Sequence, residues 1–91
     1  MTRYNVYATT RPDNEDDTEG ELLVMANLES QDEAHAFIRR TTDNILQVRT
    51  LSGAPAYELA LDSPEIRAVR NTLTHTMVVY SARVSLDAPA V

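Results

Sequence analysis

"DSPEIRAVRNTL", Asp62 to Leu73, is the stretch on which the fold turns, because the elements around it can be ordered only once it is assigned a period. By helix rules Ser63 is an N-cap and Pro64 takes the first helical position, where its missing N–H costs nothing. Ile66, Val69, Arg70 and Leu73 then recur at helical spacing. The expectation is a short second helix. It carries Arg67 and Arg70 three positions apart, which together with Arg39 and Arg40 at the end of the first helix could clamp an anionic ligand or pair with Glu65 and the acidic loop.

Working back from it, "SGAP" is a turn that joins "ILQVRTL" (45–51) to "AYELAL" (56–61), read as a second hairpin with Leu46 and Val48 inward and Tyr57, Leu59 and Leu61 on one face. Before that, "SQDEAHAFIRRTTDN" (30–44) changes period from 2 to 3.6. Ser30 and Glu33 form a capping box, Ala34, Phe37, Ile38 and Thr41 the inner stripe, and Asp43 and Asn44 the expected end. Two alternating stretches open the chain, Arg3 to Thr10 and a second from Glu21 in which Leu22, Val24, Ala26 and Leu28 share a face. Downstream, "HTMVVYSARVSL" (75–86) alternates Val78, Tyr80, Ala82 and Val84 against Met77, Val79, Ser81 and Arg83.

In chain order these give an α+β fold, ββαββαβ. It is a two-layer antiparallel sheet with two helices on one face, in the ferredoxin-like (split βαβ) arrangement with an extra N-terminal strand. An antiparallel meander flanked by two helices, without the parallel crossovers, is the alternative. Ninety-one residues suit one domain, 1–91, with residues 10–20 as an acidic hairpin loop and 87–91 as a frayed tail.

Composition removes several chemistries. There is no cysteine, hence no disulfide, thiolate metal site or cysteine nucleophile, and all eight basic residues are arginine. Two glycines, Gly20 and Gly53, are too few for a phosphate cradle, and no G-x-G-x-x-G, H-E-x-x-H or P-loop is present. No cofactor is expected. A net charge of -6 argues against free nucleic acid as partner and toward a basic protein surface. No secretory pattern opens the chain, which places it in the cytoplasm by expectation.

Six carboxylates fall between Thr10 and Glu21, in "TRPDNEDDTEGE". The spacing fails as a calcium loop, because Thr18 stands where the turn needs Gly and Val24 where a bidentate Glu is required. A solvated loop or a presented acidic surface remains. On a sheet whose helices cover one face, the other face would show Tyr7, Leu23, Met25, Ile45, Met77 and Val79, joined by Gln47, Arg49, Ser81 and Arg83, too apolar for plain exposure.

The expected partner-binding residues are therefore Asp13, Glu15, Asp16, Asp17, Glu19 and Glu21 with Tyr7, Leu23, Met25, Met77, Val79 and Arg83. The leading expectation is a non-catalytic acidic module, of the kind phages and mobile elements use as small inhibitors, anti-CRISPR proteins among them. It would occupy a basic nucleic-acid-binding surface of a partner complex, and a homodimer through the sheet face is the other association. The rival is a small dimeric α+β-barrel-like enzyme or small-molecule-binding protein with Tyr7, Tyr57, Tyr80 and His75 as its polar groups. His35 is expected to point outward from the first helix.

Overall fold

The computed structural model describes residues 2–12 and 20–85. Five strands form one sheet: β1 (Tyr4–Pro12), β2 (Glu21–Leu28), β3 (Tyr57–Asp62), β4 (Ile66–Asn71) and β5 (Thr76–Val84), with one helix, α1 (Gln31–Leu46), between β2 and β3. The strand order is β2-β1-β5-β4-β3 and every pairing is antiparallel. The chain is ββαβββ, which corrects the ferredoxin-like expectation: there is one helix among the described residues, and no parallel crossover.

The correction comes first from Asp62–Leu73. Ser63 caps no helix; its backbone N and its Oγ both donate to Ile66 O at 3.0 Å, closing a tight turn around Pro64. Ser and Pro serve turns as readily as helix starts, and a six-residue segment matches either period. Pairing decides: β4 lies between β3 and β5 and bonds to both. At its end Asn71 Oδ1 accepts from Leu73 N (2.8 Å) and Thr74 N (3.0 Å), so the expected last helical turn is an Asx turn into β5.

The second correction is at "ILQVRTL". Asp43 and Asn44 do not end α1, which runs on to Leu46, because Ile45 and Leu46 continue the stripe of Ala34, Ile38 and Thr42 by one more turn. Gln47 is the C-cap, Arg49 Nη1 donates to Leu46 O, and in place of a hairpin strand there is a single bridge between Arg49 and Pro55. Ile45, Gln47 and Arg49 therefore leave the sheet face on which they were expected. The helix start agrees with its reading: Glu33 N donates to Ser30 Oγ at 3.1 Å, and Glu33 Oε2 accepts from Glu29 N at 3.0 Å.

α1 packs on one face of the sheet. Val6, Ala34 and Ile38 are fully buried there, with Tyr4, Val24, Leu28, Phe37, Tyr80 and Ala82 against them. The β1–β2 ladder is irregular, pairing Tyr4 with Leu28 but Val6 with Met25. This bulge places Asn27 in the left-handed region (φ 61°), and its N–H donates to Oδ1 of the buried Asn5 at 3.1 Å. A second bulge, between Leu59 and Leu61, pairs Leu59 with Val69 but Leu61 with Ala68. Leu59 and Leu61 therefore point to opposite faces, against the strict alternation expected of β3.

Candidate functional site

Cross-strand pairs share a face, so the register assigns each side chain. Val6, Ala82, Tyr80, Arg67 and Val69 belong to the helix side. Asn5, Tyr7, Arg83, Ser81, Val79, Met77, Ile66, Ala68, Arg70, Leu23, Glu21 and Leu61 belong to the other. Of the expected docking residues, Tyr7, Leu23, Met77, Val79, Arg83 and Glu21 are indeed on this helix-free face. Met25 is 39% exposed but sits at the bulge opposite the core residue Val6, so the register does not assign it to this face. Met77 lies on the face but is itself buried, 6% exposed, and so offers little surface. Asp13, Glu15, Asp16, Asp17 and Glu19 lie outside the described residues.

The face has its own polar order. Arg83 stacks on the Tyr7 ring, 3.8 Å to the centroid, and its Nη2 reaches Glu21 at 2.6 Å. Asn5 Nδ2 donates to the Tyr7 hydroxyl at 3.1 Å. Toward the other edge Arg70 pairs with Glu58 at 3.1 Å. Between these two ion pairs are half-buried Val79 and the buried Ala68, while Leu23, Leu61 and Ile66 keep substantial exposure, 49%, 47% and 37%. Ile66 and Ala68 were missed in the sequence because their strand was read as a helix, and Leu61 because its strand, though read as one, carries the Leu59/Leu61 bulge.

On the helix side the register brings together a group no motif foretold. Arg67, 9% exposed, donates through Nη1 to Thr42 Oγ1 (2.8 Å) and Asp43 (2.9 Å), and through Nε to Asp62 (3.0 Å). Thr42 Oγ1 in turn donates to Ile38 O at 2.8 Å. The hydrogen bond to Asp43 raises the Arg67 pKa above its ordinary value, with burial pulling the other way and the charge of Asp62 adding to the rise. Arg67 and Arg70, expected on one helix, lie on opposite faces of β4 and form no shared clamp.

The rival site's groups are also dispersed. Tyr7 is on the helix-free face, Tyr80 on the helix side, and His75 is exposed in the β4–β5 turn at φ 62°. Burial, with the nearby Tyr57, raises the Tyr80 pKa above 10.0. Among the described residues no three His, Asp or Glu are grouped to hold a metal ion, and no helix is long and apolar enough to cross a membrane. No family model, curated protein or solved structure matches the chain.

Proposed function

We propose that this chain is a non-catalytic protein-binding module of inhibitor or accessory type. It acts in the cytoplasm by occupying the surface of a basic, nucleic-acid-handling partner. The observation that carries the reading is the helix-free sheet face, where Leu61 and Ile66 stay exposed beside buried Ala68 and Leu23 stays exposed across Tyr7 and Ser81, with ion pairs already closed within the chain. An apolar patch with a polar rim is the usual form of a docking surface. Among its described side chains Arg83 and Arg70 are matched by Glu21 and Glu58, so attraction to a basic partner rests on the net charge of -6 and on Asp13, Glu15, Asp16, Asp17 and Glu19, the segment that leads into Glu21 and Leu23.

The test is parallel capture from nuclease-treated lysate with three baits: the native chain, Leu23→Arg, and a chain with those five acids neutralised. One basic complex held at fixed stoichiometry by the native chain, lost with Leu23→Arg and weakened by neutralisation, supports the reading. Equal capture by all three baits removes it. Sedimentation of a concentration-dependent dimer abolished by Leu23→Arg would assign the face to a second copy of the chain instead.

A further inference from the structure

On the other side of the sheet a cleft of about 230 Å³ opens between α1 and the β3–β4 turn, lined by His35, Ala36, Arg39, Ser63, Pro64 and Arg67. Three of its six residues carry nitrogen donors with capacity to spare. His35 is half-buried, not turned outward as expected, and its Nε2 is closed from solvent with no hydrogen-bond partner among the described residues. A buried ring nitrogen left unpaired costs about 1–3 kcal/mol unless a ligand or water supplies the partner. Arg67 commits Nε and Nη1 to Asp62, Asp43 and Thr42 but donates from Nη2 to none of the described residues. Arg39, one turn on from His35 and exposed, has no ion pair or side-chain hydrogen bond among them.

The geometry points to this cleft as a binding site for a small oxyanion, a carboxylate or a phosphate. The anion is held between the Arg39 guanidinium, Nη2 of Arg67 and the His35 imidazole, with Ala36 and Pro64 as an apolar bed for a short carbon body. Asp43 and Asp62 together outweigh the single charge of the guanidinium they hold, so attraction for an anion rests on Arg39, while the two carboxylates fix Arg67 in place as a directed N–H donor before any ligand arrives. Arg39 supplies the adaptable second fork. It is exposed, and admission of a ligand to the enclosed Nε2 requires the side chains at the mouth of the cleft to shift. The site is distinct from the sheet face and does not depend on the docking reading.

The probes are acetate and inorganic phosphate, titrated at constant ionic strength while backbone amides and both imidazoles are followed by NMR. Saturable shifts at His35, Ala36 and Ser63, with His75 unmoved as the internal control, are expected. Arg39→Ala should weaken binding at least about tenfold, while the neighbouring Arg40→Ala leaves it unchanged. If the alanine disturbs the fold, Arg39→Gln keeps the stem and removes the charge. Saturation by acetate alone, by phosphate alone or by both supports the site and tells which oxyanion it prefers. Linear, unsaturated shifts, equal response at His75, or equal loss in the Arg39 and Arg40 variants would overturn it.

Discussion

Arg67 on β4 and Thr42 on α1, 25 positions apart, meet at 2.8 Å in a hydrogen bond that fastens the helix to the sheet. Because Thr42 is fully buried and Arg67 nearly so, neither group has water to fall back on. Arg67→Ala should cost about 3 kcal/mol, since it removes the donor to buried Thr42, leaves a gap between helix and sheet, and takes the shared cation from Asp43 and Asp62. Asp43→Asn, which keeps a hydrogen-bonding oxygen and leaves Asp62 in place, should cost about 1 kcal/mol. Urea unfolding curves with unchanged slope would check both.

Tyr80 gives a pH prediction. Its raised folded pKa means that the native state retains a proton which the unfolded chain gives up near pH 10.0. Stability from this source is complete below that pH and falls as pH climbs toward and through the folded value. With no lysine in the chain, tyrosine is the only side-chain type with an ordinary pKa in that window. Thermal melts between pH 9 and about 11.5 should show a steeper fall for the native chain than for Tyr80→Phe. Parallel curves would count against the assignment.

The Asn5–Asn27 contact sets the bulge in the first hairpin. Asn27→Gly should be tolerated within a few tenths of a kcal/mol, because glycine accepts positive φ freely. Asn27→Val should cost about 1–2 kcal/mol for backbone strain. Asn5→Leu leaves Asn27 N–H unpaired and should cost about 1–3 kcal/mol. Calorimetric melting temperatures would rank them, and a Val variant as stable as Gly would contradict the geometry.

At the helix start, Ser30→Ala removes the acceptor for Glu33 N and should destabilise by about 1 kcal/mol. Arg83→Ala, by contrast, loses an ion pair and a ring contact that are both half-exposed, and should cost under about 1 kcal/mol. If Arg83 proved the costlier of the two by chemical denaturation, the face would be contributing more to stability than to recognition.

What was legible in the sequence follows from what is local. The capping box of α1, the alternation of β1 and β5, and half of the open face could be read because each depends on residues within a turn or a strand of one another. The readings that failed depend on partners remote in sequence. β4 is a strand because β3 and β5 flank it, and no residue between Ile66 and Asn71 says so alone. Leu61 reaches the open face only through a bulge, and Arg67 becomes a tether only because β4 runs under the second half of α1. α1 was cut short for a simpler reason: Asp43 and Asn44 resemble a terminator, but they sit on the solvent side of a stripe that continues through Ile45.

β5 is the middle strand of the sheet, yet it comes after the other four in the chain, and β1, the first, pairs along its full length with it. During synthesis β1–β2 and β3–β4 can each close locally, but both halves wait for the central strand to arrive, some 70 residues after β1. Closing so long a loop is slow for a domain of this size, and until then two hydrophobic strand edges are unpaired. Folding of this molecule should therefore be governed by one late event, the insertion of β5, and refolding should slow with substitutions at Val78 and Tyr80 more than with changes of similar cost in α1.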